Sequence, residues 1–182
     1  QAVGLIDEIL EADERNTDAL LKRAALQIDG GEYDQAIVNL RTALDNSPDT
    51  FDAMVLMAAA FEKQDNLSFA QAEFAKAYET SKRSARIAQQ FSRFLLRRKN
   101  TQRAEEVLVD SLAAHPGDIE NLKLLASIRL AKQDWRGAQE VAAQIERVEN
   151  QDALASNIMS AASVGLGHYE IVLAAYSEYK SR

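Results

Sequence analysis

The chain's only imidazoles are His115 and His168, and it contains no cysteine. A histidine pair could hold a divalent metal or relay protons near neutral pH. These two are far apart in sequence, lack a patterned set of carboxylates around them, and fall in turn positions, one before Pro116 and one before Tyr169. Carboxylates are abundant, as in Asp7-Glu8-Glu11 and Glu105-Glu106, but at helical spacing such groups form a solvated face rather than an acid–base pair. The run Gly165-Leu166-Gly167-His168-Tyr169-Glu170 begins like a dinucleotide fingerprint yet has no third glycine and follows no strand. No nucleophile elbow or phosphate loop is present. Without cysteine, disulfides and thiolate metal sites are excluded, while the compartment stays open between the cytoplasm and a bacterial periplasm. The residues therefore predict no catalytic site, no cofactor and no metal.

Charge is the one feature that breaks the uniformity. Lys82, Arg83, Arg86, Arg93, Arg97, Arg98, Lys99 and Arg103 are eight of the chain's 21 basic residues, and the window they define holds none of its 28 acidic ones. The formal net charge of the whole is −7. So local a reversal of sign predicts an electrostatic contact surface.

These residues sit within a repeat of 34 residues. Ala2, Ala36, Ala70, Ala104, Ala138 and Val172 form one ladder at that step. Ala24, Ala58, Ser92, Ala126 and Ser160 form a second, all small. A third is Tyr33, Leu67, Thr101, Trp135, Tyr169, and a fourth Ile6, Leu40, Phe74, Leu108, Ala142, Tyr176. A period of this size signals stacked supersecondary units, each burying its apolar face against a neighbour. Within a period, apolar residues such as Leu20, Ala24, Ala25 and Ile28 follow a 3.6-residue rhythm, with Thr17 or Asp18 suited to the N-cap. Gly30-Gly31 then permits the turn, and a second helix from about Tyr33 ends at Ser47-Pro48. The same division predicts helices at 51–63 and 67–80, 85–97 and 101–113, 119–131 and 135–147, 153–165 and 169–180. Short connections make the paired helices antiparallel. Small residues mark where paired helices cross, and Phe74, Phe91 and Trp135 fill the space between hairpins. No apolar run approaches the roughly 20 residues of a membrane-crossing helix.

The segments Gly31-Glu32-Tyr33-Asp34-Gln35-Ala36-Ile37, Leu40, Ala43-Leu44 and Ser47-Pro48, with their echo in Gln133-Asp134-Trp135-Arg136-Gly137-Ala138, resemble the tetratricopeptide repeat. The resemblance covers the whole chain and points to a bacterial member of the family. It departs from the pattern at Arg23, where a leucine is preferred, and at Lys82 and Asn150, which replace the proline. It implies an all-α, right-handed superhelical solenoid of antiparallel helix pairs, with about eleven helices in one array over 1–182. Residues 1–12 read as the second helix of a preceding unit. Five repeats follow at 17–50, 51–84, 85–118, 119–152 and 153–182, so the chain is expected to be part of a longer protein. The apolar terminal helices could also mediate self-association.

In this family the first helix of each hairpin lines the concave face. That implies a groove site at Arg86, Gln89, Gln90, Arg93 and Arg97, extended by Lys123 and Ser127 at the registers of Gln89 and Arg93. Alternatively, these arginines pair with Asp52, Glu62, Glu79 or Glu120 and hold the stack together. The lysine–asparagine–arginine clamp by which some members grip a terminal carboxylate is not reproduced in any frame: Leu21, Ala25 and Leu56, or Gln89, Arg93 and Leu124, occupy its positions.

The expected function is a non-catalytic scaffold whose groove binds an acidic or extended segment of another protein, because arginine's planar fork suits carboxylates. The alternative is a bacterial envelope scaffold for exopolysaccharide export or protein sorting, with an anionic glycan or an assembly subunit as ligand. Nucleic acid is disfavoured as a partner, since Phe91 and Phe94 read as core and the acidic whole repels a polyanion.

Overall fold

The computed structural model describes residues 2–149 and 153–180. Among them are ten helices and no strand. Two compact units divide the chain, Gln1–Ile87 and Ala88–Arg182.

The first unit holds α1 (Ala2–Ala12), α2 (Thr17–Asp29), α3 (Tyr33–Asn46), α4 (Phe51–Lys63) and α5 (Leu67–Thr80), with the first residues of α6 (Ala85–Arg97). Hairpins α2/α3 and α4/α5 pack most closely, α3 leans on α4, and α1 covers α2. Ile6 and Leu10 of α1 meet Ala19, Leu20 and Ala43. A second cluster joins Ala24, Ala36, Leu40, Ala53 and Met57, with Leu21, Ile28, Leu44, Leu56 and Phe61 at its margin.

The second unit comprises the rest of α6, α7 (Thr101–Ala114), α8 (Ile119–Ala131), α9 (Trp135–Val148) and α10 (Ala153–Lys180). Here α8 packs on α9, and α10 on both.

The small-residue ladders lie at the helix crossings. Ala24, Ala58, Ser92 and Ala126 are fully buried, as are Ala36, Ala70, Ala104 and Ala138. Where serine replaces alanine, its hydroxyl needs a partner in that dry contact. Ser92 Oγ donates to the Ala104 carbonyl at 3.2 Å, tying α6 to α7. The side chains of Ala2 and of Tyr169, Ile171, Val172 and Tyr176 lie outside the described residues.

Four hairpin turns are built identically. Gly31, Asp65, Lys99 and Gln133 occupy one repeat position, and each has a positive φ, between 59° and 82°. The next residue's N–H reaches back to the carbonyl five residues earlier: Glu32 to Gln27, Asn66 to Phe61, Asn100 to Leu95, Asp134 to Arg129. This left-handed termination satisfies helix-end carbonyls that would otherwise be orphaned.

Two expectations are corrected. The N-cap of α2 is Asn16 rather than Thr17 or Asp18, and its side chain accepts from the Ala19 N–H at 3.0 Å. The eleventh helix is absent: α10 runs unbroken over 28 residues where helices at 153–165 and 169–180 with an intervening turn were expected. His168 accordingly lies within a helix, not in a turn. A break after Gly167 would strip backbone bonds and create a new N-terminus to be capped. The preceding hairpins offer Asn100 and Asp134, which accept from Arg103 N–H and Gly137 N–H, whereas His168 has no short side-chain oxygen for this purpose.

Gly165 is fixed by contact rather than by conformation. A Cβ there would lie 2.4 Å from Cδ2 of Trp135, with two more indole atoms within 2.7 Å. Alanine would help the helix but must displace an indole ring. Gly165→Ala is therefore expected to destabilise the second unit by about 1–3 kcal/mol, as overpacking does elsewhere. A lowered midpoint in thermal or urea melts checks this.

Candidate functional site

α6 is sharply two-sided. Ile87, Ala88, Phe91, Ser92, Phe94 and Leu95 are buried, none more than 2% exposed. Arg86, Arg93 and Arg97 are exposed, and Gln89 and Gln90 half-buried. At about 100° per residue those five fall within roughly 60° of a common line down the opposite face. Phe91 and Phe94 thus present no ring for stacking on a base.

The exposed residues differ in how they are held. Arg86 Nη2 ion-pairs with Asp52 Oδ1, and its guanidinium lies 5.8 Å from the Phe51 ring centroid. Both partners belong to the first unit, so this arginine is anchored as the structural alternative required. Arg93 makes no ion pair among the described residues. Gln90 turns its amide oxygen inward, where it is buried without a hydrogen-bond donor. Beyond the helix, Lys82, Arg83, Arg98, Lys99 and Arg103 are all exposed. Arg103 is paired locally with Glu106 at 2.9 Å. Hydrogen bonds from Arg103 and Gln102 hold the Glu106 carboxyl below its ordinary range. The residues of the basic window therefore stay exposed, and Arg103 draws in one carboxylate from just outside it.

On α8, Lys123 and Ser127 repeat the registers of Gln89 and Arg93, opposite the buried Asn121, Leu122, Leu125, Ala126 and Ile128. Lys123 lies half-buried with Nζ 3.7 Å from Glu149. Ser127 is exposed, but its hydroxyl donates to Leu124 O at 2.7 Å within its own helix. Of the seven expected site residues, Arg86, Arg97, Lys123 and Ser127 already have partners, whereas Arg93 makes no ion pair among the described residues.

Sequence reasoning overlooked a semi-buried ionic cluster in the second unit. Arg129 Nε lies 3.3 Å from Glu105 Oε1 and 3.9 Å from Asp134, and its Nη1 donates to Gly137 O at 3.1 Å. Lys132 Nζ closes on the other Glu105 oxygen at 2.6 Å. The Glu105 and Arg129 side chains are only 15% and 19% exposed. The signal was available: Arg129 occupies the register of Phe61 and Leu95. Every member finds an opposite charge or a backbone acceptor, so the cluster fits a structural role. Among the described residues, no group of histidines and carboxylates could hold a metal ion, and no helix is long and apolar enough to cross a membrane.

No model of a known protein family matches the chain. Over 94 residues it is 29% identical to the type IV pilus assembly protein PilF of Pseudomonas aeruginosa, a match covering 52% of this chain but only 37% of that protein. The solved structure of Pseudomonas aeruginosa PilF superposes with a TM-score of 0.63 at 22% identity, over 93% of this chain and 77% of the other. A tetratricopeptide repeat protein from Parabacteroides merdae gives 0.69 at 16% identity, covering 85% and 61%. YrrB, described as a tetratricopeptide protein with an unusual peptide-binding site, gives 0.60 at 12%, covering 94% and 97%. With helices at 34-residue spacing, small residues at their crossings and a shared left-handed turn, the chain has the fold of tetratricopeptide repeat proteins, an all-α helical repeat solenoid.

Proposed function

We propose that this chain is a non-catalytic interaction scaffold, and that the exposed face of α6 receives an extended, acidic segment of a partner protein. The observation that carries the reading is Arg93. It is exposed on a face shared with Arg86, Gln89, Gln90 and Arg97, inside a window of eight exposed basic residues, in a chain whose net charge is −7. Keeping such a cluster together costs self-repulsion, which an acidic ligand would relieve. Gln89 adds an amide group that suits a peptide backbone, beside Gln90 whose oxygen points inward, and Lys123 and Ser127 mark the registers of Gln89 and Arg93 one hairpin on. YrrB, a protein of the same fold, is described as having an unusual peptide-binding site, which supports a peptide as the ligand class.

A second reading has its own support in the likeness to a pilus assembly protein. A bacterial envelope scaffold serving protein sorting or exopolysaccharide export would present the same basic face to an assembly subunit or an anionic glycan.

The test is a titration of the chain with a glutamate-rich unstructured peptide, a neutral peptide of equal length, and an anionic polysaccharide. Arg93→Glu with Arg97→Glu should weaken acidic-peptide binding roughly tenfold or more at low salt, each reversal acting through an exposed pair. Affinity unchanged by the double reversal at low salt would sink the proposed face. Selective binding of the polysaccharide would favour the envelope reading.

A further inference from the structure

We infer that the link between α5 and α6 is a second grip on the acidic segment, in which Lys82, Arg83 and Arg86 receive carboxylates and Asp52 holds the place of one of them until the segment binds. The inference rests on the scaffold reading and deepens it, by naming where the partner's charge is received besides Arg93 and Arg97. Every residue it uses lies in the first unit.

Local backbone preference opposes what the sequence places here. Two other links between hairpins carry Pro48 and Pro116 at the register of Lys82, and Asp49 and Gly117 at the register of Arg83. None of those four residues has a positive φ, whereas Lys82 and Arg83 have φ of 53° and 64°. At Lys82 the conformation closes α5: the Arg83 N–H reaches the Tyr78 carbonyl at 2.9 Å, as at the tips of the hairpins. That closure needs only Lys82. Arg83 is a second left-handed residue in succession, a doubling found nowhere else among the described residues. Glycine enters this region freely, while a residue with a Cβ resists it. Yet glycine stands at the register of Arg83 only in the later link, where the backbone does not call for it. Side chains held in such a conformation concentrate at ligand clamps and switches. Both of these are exposed and cationic.

Arg86 departs from a second rule. The second residue of α2, α4 and α8 is acidic (Asp18, Asp52 and Glu120), as the positive end of a helix dipole favours. At the same register α6 carries Arg86, and its first turn holds no acidic residue. The guanidinium is steadied by the Phe51 ring, 5.8 Å away, and by the carboxylate of Asp52. The two side chains of that ion pair remain 54% and 50% exposed. A pair so open to water is weak. A carboxylate from a bound segment can therefore take its place without stranding a charge, since Asp52 returns to solvent in the first turn of α4, where the dipole favours it. Charge complementarity selects the occupant, because the arginine fork fits carboxylates.

The whole chain and the glutamate-rich unstructured peptide, at low salt, suffice to check this. Lys82→Gly with Arg83→Gly frees two left-handed positions of their side chains and should raise the melting midpoint by about 2–4 °C. The same variant should weaken peptide binding about threefold or more. A link shaped for folding alone would not move the two in opposite directions. Unchanged affinity, or a lowered midpoint, would overturn the inference.

Asp52→Asn removes the carboxylate that stands on Arg86 and should tighten binding about threefold. Asp49→Asn, which removes an equal charge from the link just before α4, should change it less. Equal gains in these two variants would reveal a general field effect in place of competition, and would overturn the inference as well. Arg93→Glu with Arg97→Glu separates it from the reading beneath it. Should that reversal weaken binding while the link variants do not, the inference alone fails. Should none of the variants matter, the reading fails with it.

Discussion

Truncating Phe94 to alanine is expected to destabilise the second unit by about 3–5 kcal/mol, the range for removing a fully buried phenylalanine. Phe94 has no exposed surface, and Phe91 beside it has only 2%. For a domain of this size such a loss lowers the melting midpoint by on the order of 10 °C. The variant matters for function because Phe94 and Arg93 are successive residues with opposite roles, one holding α6 in place and the other displayed on it. Calorimetry should find Phe94→Ala severely destabilised, while Arg93→Glu melts close to the parent. If Phe94→Ala melts normally, α6 does not bury the face described, and the basic stripe loses its orientation as well.

Replacing Glu105 with alanine should cost about 2–3 kcal/mol. Breaking a buried ion pair typically costs 3–5 kcal/mol because a charge is stranded, and the 15–19% exposure of Glu105 and Arg129 places this pair below that range. Arg129 would keep only Asp134 at 3.9 Å and the Gly137 carbonyl. The cost should come from the stranded guanidinium rather than from lost attraction, so Glu105→Leu combined with Arg129→Met should recover most of it. Urea unfolding of the single and double variants distinguishes these, and equal losses in both would contradict the account.

Much of the fold was legible because the 34-residue period fixes several things at once. A helix boundary read at Ser47-Pro48 recurs at His115-Pro116, and α3 and α7 stop there, at Asn46 and Ala114. The buried alanine ladders were visible because a close crossing tolerates nothing larger. What failed was carrying the period's turn into the last hairpin. Gly165-Leu166-Gly167 looks like a turn, but glycine only permits one, and a helix is interrupted only when its new ends can be satisfied. The close approach of Trp135 to Gly165, visible only in three dimensions, gives that glycine a different reason to be there. At the N-cap of α2 the sequence offered Thr17 or Asp18, and only geometry singled out Asn16.

The candidate site was legible in a coarser way. Amphipathic spacing put Arg86, Arg93 and Arg97 on one side of α6 and the phenylalanines on the other. It could not show that Arg86 is drawn to Asp52 while Arg93 is not, because that depends on which carboxylates come within reach across the first unit. The Glu105–Arg129 cluster was missed for the same reason, although a lone arginine at an apolar register was a clue.

The repeated left-handed turn separates architecture from surface chemistry. The same backbone hydrogen bond closes each reversal, and the residue at its apex has been glycine, aspartate, lysine and glutamine without altering it. Charge along this seam can therefore drift from one hairpin to the next while the hairpins keep their shape. A protein built this way can acquire a new recognition surface through outward substitutions, with the scaffold beneath left as it was.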